Sequence, residues 1–297
     1  MKIPIIIFHI GKRDYVRYCL QSALYYENKD IILLHDDVNA YQDLPITVVD
    51  YKKYNQYDNV LKQLYVHLSP NSEQLEYICI QRWFCIYSYM RKHHIARAFI
   101  CDSDVLLFDN ISKINKKYLA SFDYMLCSSP SNNITGGQSI WNIAHLNQFI
   151  QFVLHFYRSQ RDTMIKWYSS SQDYGGICDM TLLYYFAHQC TTFQGLRLPH
   201  YPSIQHDLTQ VYNNKFTFDL HIGTSGNQLH PNEYKMDGIN TIKKISISDY
   251  HNKKVPVVYN NRLRKYIRFA LLHFQGSNKK WMETYYHKII INNNVIM

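Results

Sequence analysis

Apolar runs of strand length alternate with helix-like stretches along the first third of the chain. Runs at residues 3–10, 31–35, 46–50 and 95–101 have the length and the apolar content of buried strands. Residues 15–26 are predicted as a helix, and residues 76–92 carry apolar side chains at three- and four-residue intervals, which predicts another. This alternation predicts an α/β fold with a mostly parallel central sheet flanked by helices.

The remainder of the chain is less regular. We predict a strand at residues 122–127, a loop at 130–137, and helices at 146–157 and 180–188. The serine- and glycine-containing stretch 169–176 could form a loop over a ligand-binding site. Residues 193–259 are polar and rich in turn-forming residues, which predicts short strands at most.

Two carboxylates, Asp102 and Asp104, follow the run at 95–101 within otherwise apolar sequence. In an extended backbone, side chains two residues apart project from the same face, so both carboxylates would point to one place. A divalent cation removes their repulsion, and magnesium and manganese prefer such oxygen ligands. The alternative is a turn in which both acids accept hydrogen bonds from loop amides. The position favours a metal site, because ligands of open α/β sheets bind beyond the carboxyl ends of strands.

Further candidate binding residues lie near the ends of predicted elements. His9, at the end of the first predicted strand, and Asp36, after the second, are candidates for ligand binding. An acid at the position of Asp36 commonly meets a nucleoside ribose or base, but it could equally cap the next turn. Arg82, on the helix predicted at 76–92, could reach a ligand phosphate or form a surface ion pair.

Two glycines and one acid are the candidates in the middle of the chain. Gly136 and Gly137 would let the backbone approach a ligand closely, although a tight bend requires nothing more. Asp179 precedes the helix predicted at 180–188 and could simply be its N-cap.

The segment 271–281 joins apolar residues to three residue types that suit a metal and diphosphate site. His273 can bind a metal, Gly276 can let backbone amides face a phosphate, and Lys279 can neutralise one.

The positive net charge of the chain bears on which partners it could bind. The chain has 297 residues, of which 46% are hydrophobic and 19% charged, as in ordinary globular proteins. Its net charge of +9 would suit nucleic acid, an anionic membrane or a phosphorylated substrate. The basic block at 262–268 has near-helical spacing, which predicts either a helix in peripheral contact with a membrane or the solvated face of an ordinary helix. We expect no nucleic-acid partner.

The cysteines and the apolar runs bear on location. The seven cysteines form no Cys-x-x-Cys pair, which is typical of reduced core residues in a cytosolic protein. The apolar run at the start is too short for a signal peptide, and no later run approaches the roughly 20 residues of a membrane span. We therefore expect a cytoplasmic protein, with the block at 262–268 as its one candidate for membrane contact.

Taken together, two motifs resemble those of nucleotide-sugar-dependent glycosyltransferases of the GT-A fold, above all the glycogenin and lipopolysaccharide-galactosyltransferase group, known as family eight, or a sister family. Asp102-Ser103-Asp104 matches the Asp-x-Asp motif of that group. His273, Gly276, Lys279 and Trp281 match its His-x-x-Gly-x-x-Lys-Pro-Trp motif, with Lys280 in place of the proline. Residues 136–142 are similar to the Asn-x-Gly-x-x-x-x-Asn segment, and Asp179 falls where the group carries an acid facing donor or acceptor sugar.

The resemblance implies transfer of a hexose from a nucleoside-diphosphate sugar, with a UDP-sugar as the expected donor, to a hydroxyl of a glycan, lipid or protein. It implies that Asp102, Asp104 and His273 hold manganese or magnesium, that Asp179 and Lys279 are catalytic, and that Lys279 and the Gly276 amide meet the charge of the leaving group. His9, Asp36, Arg82, Gly136 and Gly137 would contribute to donor binding.

The expected organisation is one GT-A-type domain over residues 1–297. Residues 1–125 would mainly bind the donor nucleotide, residues 126–260 would form the acceptor side, and residues 261–297 would return to the metal and diphosphate. Two alternatives remain open: a sugar nucleotidyltransferase, and a non-catalytic module that binds sugar nucleotides or glycans.

Overall fold

The computed structural model describes residues 2–128, 134–170, 176–203, 205–223, 233–237 and 242–293. Within these ranges the α-helices are Asp14–Tyr25 (α1), Asp58–Leu64 (α2), Glu73–Lys92 (α3), Ile111–Ile114 (α4), Ile143–Ser159 (α5), Arg161–Ser170 (α6), Asp179–Ala187 (α7) and Met282–Ile289 (α8). No helix in the described part of the chain is long and apolar enough to cross a membrane.

Strands occur throughout the same ranges. They are Ile5–Phe8 (β1), Ile31–His35 (β2), Thr47–Asp50 (β3), Arg97–Cys101 (β4), Val105–Leu107 (β5), Tyr124–Ser128 (β6), Ile134–Asn142 (β7), Thr192–Phe193 (β8), Leu196–Arg197 (β9), Gln205–Asp207 (β10), Phe216–Thr217 (β11), Met236–Asp237 (β12), Ile242–Lys243 (β13), Ser246–Tyr250 (β14), Lys253–Asn260 (β15), Lys265–Phe269 (β16) and Leu271–His273 (β17).

Seven strands form the central sheet, in the order β10-β6-β7-β4-β1-β2-β3. All run parallel except β7, which is antiparallel to both of its neighbours. Successive side chains enter two different buried clusters: Ile5 and Ile7 of β1 lie in one, and Ile6 and Phe8 lie in the other. The sheet is therefore covered on both faces, and the predicted α/β fold with a mostly parallel, helix-flanked sheet is confirmed.

Helix α3 shows how the local sequence prepares the site. The Ser72 hydroxyl accepts a hydrogen bond from the backbone N–H of Leu75 and so caps the helix N-terminus. The helix buries Trp83 against the same cluster that holds Ile6 of the sheet. Arg82, next to Trp83, is thereby directed toward the residues that follow β4. The helix predicted at 76–92 is confirmed and begins one turn earlier.

The loops predicted at residues 130–137 and 169–176 have different outcomes. Residues 134–137, predicted as part of a loop, belong to β7, which is buried over nearly its whole length between β4 and β6. Tertiary pairing on both sides thus overrides the two glycines as a turn signal. Of the other predicted loop, residues 169 and 170 end α6, and residues 171–175 lie outside the described residues.

The helix predicted over the basic block at 262–268 is wrong. Residues 265–269 form β16, which pairs antiparallel with β15 in a second sheet of order β11-β16-β15-β14. Lys265 and Tyr266 at its start are exposed, and Ile267, Arg268 and Phe269 are buried, as expected for a strand that enters the space between β11 and β15. The surface helix on which membrane contact was predicted does not exist. Strand β15, eight residues long, also exceeds the short strands predicted for 193–259.

The C-terminal segment returns to the region of the acidic pair through β17, which forms a separate two-stranded sheet with β5. This strand pairs antiparallel with β5, so that Leu271 lies opposite Leu107 and His273 opposite Val105. The backbone N–H of Phe274 then donates to the carbonyl of Asp104 over 2.9 Å. Since β5 directly follows the acidic pair, this pairing places His273 beside Asp104.

Candidate metal centre

Asp102 and Asp104 lie in a turn between β4 and β5. Strand β4 ends at Cys101, and residues 103 and 104 form the turn. The expectation of an extended backbone is therefore wrong, because β5 leaves the sheet to pair with β17. The two carboxylates nevertheless converge: single ligand atoms of Asp102, Asp104 and His273 all lie within 4.8 Å of one another.

The imidazole of His273 is oriented by its own neighbours. Its Nδ1 lies 2.6 Å from the carbonyl oxygen of Leu220, and because a carbonyl only accepts, Nδ1 carries the hydrogen. The other nitrogen, Nε2, lies 3.3 Å from Oδ1 of Asp104 and is buried with no hydrogen-bond partner among the described residues. This nitrogen is the one directed at the carboxylates.

Asp104 is the more buried of the two acids and has two cationic neighbours. Lys279 Nζ lies 2.8 Å from its Oδ2. Burial alone would raise the pKa of the Asp104 carboxyl, but His273 and Lys279 outweigh burial and hold that pKa well below its usual range. Burial alone would lower the pKa of the His273 imidazole. The charge of Asp104 outweighs burial and raises that pKa above its usual value. Asp104 is thus a carboxylate throughout the physiological range.

Asp102 is linked to Asp179 through Arg82. The guanidinium lies 2.5 Å from Asp102 Oδ1 and 2.7 Å from Asp179 Oδ2. Trp83 also donates its indole N–H to Asp179 over 3.3 Å. Arg82 is therefore a largely buried bridge between two acids rather than a surface ion-pair partner.

The predicted N-cap role of Asp179 is wrong. The N-cap position of α7 is Cys178, and Asp179 is the first residue of the helix. A carboxylate in the first turn is stabilised by the helix dipole. Because Asp179 is 5% exposed and points to Arg82, its side chain belongs to the group around Asp102.

The two glycines of β7 make room for larger groups. A Cβ atom at Gly137 would collide with the carboxylate of Asp102, and one at Gly136 would collide with the indole of Trp83. The backbone N–H of Asp102 also donates to the carbonyl of Gly137. Glycine at 137 is thus required by the position of the acid, and glycine at 136 by core packing. Neither forms a tight bend.

The remaining candidates border the centre at different distances. His9 Nδ1 lies 2.9 Å from Ser103 Oγ, directly beside the acidic turn. Burial, assisted by nearby His35, lowers the pKa of His9 to about 4, so that its ring is neutral at pH 7. Asp36 accepts a hydrogen bond from the Gly11 N–H over 2.8 Å. Its carboxylate thus stabilises a loop, as in the alternative to nucleoside binding. Gly276 has a φ of +63° and opens the turn that carries Lys279.

The buried pair of Asp219 and Lys243, next to the centre, was not predicted from the sequence. Asp219 accepts a hydrogen bond from the backbone N–H of His273 over 3.1 Å, and its other oxygen lies 2.7 Å from Nζ of Lys243. Both side chains are almost fully buried. They come from the stretch 193–259, where no motif marked them, and only a buried Asp–Lys pair in a structure reveals them.

The donor set fits a hard divalent cation. Two carboxylates and one neutral imidazole nitrogen are ligands that manganese accepts readily and magnesium tolerates. The orphaned Nε2 of His273, aimed at both acids, is the observation that favours a metal over a plain ion-pair cluster. Asp102, Asp104 and His273 would hold the ion.

Comparisons with known proteins place the chain among distant structural neighbours. No protein-family model and no curated protein matches the sequence. Among solved structures, mouse xyloside xylosyltransferase 1 in its apo form is similar at 11% identity and a TM-score of 0.47, over 70% of this chain and 85% of that one.

Two further neighbours are more distant. The galactosyltransferase LgtC, in complex with donor and acceptor sugar analogues, matches at 10% identity and a TM-score of 0.30, over 60% of this chain and 69% of that one. A cytidylyltransferase from Leptospira borgpetersenii matches at 10% identity and a TM-score of 0.33, over 55% of this chain and 73% of that one. Glycosyltransferases, the class that the two motifs resemble, are thus among the similar structures. Because each of these TM-scores is below 0.5, the function of this chain is inferred from its site.

Proposed function

We propose that the chain is a metal-dependent glycosyltransferase that moves a hexose from a nucleoside-diphosphate sugar, with a UDP-sugar as the expected donor, to a hydroxyl of a glycan, lipid or protein. The observation that carries this proposal is the convergence of Asp102, Asp104 and His273 within 4.8 Å. It lies beyond the carboxyl end of β4, where ligands of open α/β sheets bind.

The metal, manganese or magnesium, would supply positive charge to the diphosphate as the leaving group departs. The chain's own residues hold and surround it. Asp104 directly precedes β5 and His273 ends β17, and these two strands pair, so backbone hydrogen bonds set the separation of the two residues. Such preorganisation favours stabilisation of developing charge.

Lys279 provides a second positive charge. Its side chain is 35% exposed and lies against Asp104 on a turn that begins at Gly276. A lysine on a flexible stem can leave a carboxylate for a diphosphate oxygen a few ångströms away. We assign Lys279, with the Gly276 amide, to stabilisation of the leaving group.

Asp179 and Arg82 would face the donor sugar. Asp179 is held by Arg82, and its carboxylate can accept hydrogen bonds from sugar hydroxyls while the guanidinium balances its charge. His9 and Asp36 would lie on the nucleoside side of the metal. In this proposal residues 1–125 mainly bind the donor, residues 126–260 form the acceptor side, and residues 261–297 complete the diphosphate site.

Product analysis tests the proposal. The protein is incubated with labelled UDP-sugars and manganese, and release of free UDP is expected. Pyrophosphate would instead indicate a nucleotidyltransferase, and the absence of both products would indicate a binding module. Asp104→Asn should abolish metal-dependent UDP release, whereas Asp43→Asn, which alters an exposed acid paired with Arg17, should not. Equal activity of both variants would contradict the proposed centre.

A further inference from the structure

A large groove lies on the side of the molecule away from the candidate metal centre. It has a volume of about 1040 Å³ and is walled by the end of α1, the stretch after β5, the turn α4 and the second sheet. A cavity of about 420 Å³ shares Glu27, Asn110 and Lys113 with it, so the two form one continuous groove. For brevity we call it the basic groove.

The basic groove and the metal centre lie at opposite ends of the parallel strands. The groove reaches Ile5, where β1 begins, and Asp30, which precedes β2. Asp102, in contrast, follows the carboxyl end of β4. Strands of four or five residues span about 15 Å, so the groove is remote from the chemistry. Neither Asp102, Asp104 nor His273 lines it.

Positive charge is concentrated in this groove. Its lining holds eight lysine and arginine side chains against four acidic ones. The resulting excess of four positive charges is a large part of the net +9 of the whole chain. A concave surface with one sign of charge in excess attracts polyanions.

Part of this charge is available to a ligand. Arg268 is paired with Asp109, and Lys113 and Lys253 share Glu27. By contrast, five exposed lysines of the lining form no ion pair among the described residues: Lys2, Lys29, Lys116, Lys117 and Lys215. Their charges are therefore not neutralised by an ion pair within the described part of the fold.

Aromatic rings are exposed in the same groove. Arg268 lies between two rings, with its guanidinium carbon 4.0 Å from the centroid of Tyr250 and 5.2 Å from that of Phe216. This contact holds Tyr250, which remains 41% exposed. Tyr266, two residues from Arg268 on β16, is 58% exposed and also lines the groove. Fixed, exposed tyrosines offer flat apolar surfaces onto which a sugar ring can stack.

We propose that the basic groove binds an anionic polysaccharide, whose carboxylates meet the unpaired lysines and whose sugar rings stack on Tyr250 and Tyr266. The excess of positive charge and the exposed tyrosines along one concave surface suit a chain of charged sugar rings rather than a flat lipid surface. Under the proposed function, on which this one step rests, the bound polysaccharide would be the distal part of the acceptor.

Binding measurements test the proposal without donor or metal. Fluorescence anisotropy with labelled polygalacturonate oligomers should show saturable binding that is at least about tenfold tighter than binding of neutral dextran oligomers. Lys116→Glu/Lys117→Glu should weaken polygalacturonate binding by about tenfold or more, since two cations of the groove become anions. Tyr266→Ala should weaken it about threefold.

A matched control is Lys52→Glu/Lys53→Glu, which reverses another pair of adjacent exposed lysines outside the groove and should bind like the wild type. Failure of the wild-type protein to prefer polygalacturonate over dextran would overturn the proposal. So would equal binding by the groove and control variants, or tighter binding of single-stranded RNA or of phosphatidylglycerol vesicles.

The result of these binding measurements can be distinguished from the result of the UDP-release assay that tests the proposed function. Manganese-dependent UDP release without acceptor should be unchanged in the groove variants, because the groove is remote from Asp104. Polysaccharide binding by a protein that releases no UDP would uphold the groove and contradict the glycosyltransferase. UDP release by a protein that does not bind polygalacturonate would do the reverse.

Discussion

Asp219 accepts the backbone hydrogen bond of His273 over 3.1 Å, so one buried carboxylate fixes the strand position from which the imidazole reaches Asp104. The other oxygen of Asp219 is held by Lys243, whose Nζ also donates to the carbonyl of His221. A buried ion pair is seldom a net source of stability, because both charges lose their hydration. Its position behind a metal-ligand candidate indicates a role in orientation.

The first prediction concerns this pair. Asp219→Asn/Lys243→Met removes both charges together, which avoids leaving Lys243 buried and unpaired. We expect the protein to fold and its manganese affinity to fall between about 10- and 100-fold, the usual loss when a residue that orients a metal ligand is removed. Electron paramagnetic resonance of free manganese measures the affinity, and circular dichroism checks the fold.

The control is the exposed pair Arg17 and Asp43, changed to Met and Asn, which should leave manganese affinity as it is. If the two double variants bind manganese equally well, Asp219 has no part in orienting His273.

The second prediction separates the two glycines of β7. Gly137→Ala forces the Asp102 carboxylate to move, so manganese affinity should fall with little loss of stability. Gly136→Ala drives a methyl group into the Trp83 indole and should cost about 1 to 3 kcal/mol of unfolding free energy, as overpacking of a core does. Thermal unfolding and manganese titration of both variants measure the two effects. The assignment fails if Gly137→Ala changes only stability.

The central sheet and the acidic pair could be predicted from sequence because their signals are local. The run at 95–101 is apolar and short, and Asp102 and Asp104 are two residues apart. The way in which the two acids converge was not predictable, since it depends on β5 leaving the sheet to pair with β17. That pairing joins Val105 to His273 across the length of the chain, and only the matching C-terminal motif hinted at it.

The strand at residues 265–269 and the pair of Asp219 and Lys243 escaped prediction for the same physical reason. Residues 265–269 mix basic and apolar side chains at a spacing that nearly fits a helix, and only pairing with β15 decides for a strand. Asp219 and Lys243 lie in sequence without periodicity, and a buried ion pair leaves no local pattern. In both cases the structure is determined by contacts with distant residues.

The third prediction is the pH dependence of stability in metal-free protein. Burial and His35 lower the pKa of His9 to about 4, below its ordinary value of 6.5. The unfolded chain therefore binds a proton that the folded state refuses, and unfolding free energy should fall as pH drops from 6.5 to 4. The loss attributable to His9 is on the order of 3 kcal/mol at most.

Urea unfolding at pH 7 and pH 4.5 measures this slope. His9→Gln keeps a polar side chain near Ser103 but cannot titrate, so its stability should fall less over the same interval. His155→Gln, at an exposed position on α5, is the control and should retain the wild-type slope. Parallel curves for the wild type and His9→Gln would show that His9 is not neutral in the folded protein.

The last prediction concerns Lys279, for which the structure implies opposite effects on metal binding and on turnover. Its ammonium lies 2.8 Å from Asp104 Oδ2 and so competes with a cation for that carboxylate. Lys279→Met should therefore raise manganese affinity several-fold in the absence of nucleotide. The same variant should release UDP about 100-fold more slowly, because a charge that stabilises the departing diphosphate is gone. Lys280→Met is the matched control: Lys280 lies over the ring of Trp281 with its ammonium 5.5 Å from the centroid, and neither quantity should change. A parallel fall in manganese affinity and turnover would mean that Lys279 supports the metal site rather than competing for it, and equal behaviour of the two variants would remove Lys279 from the mechanism.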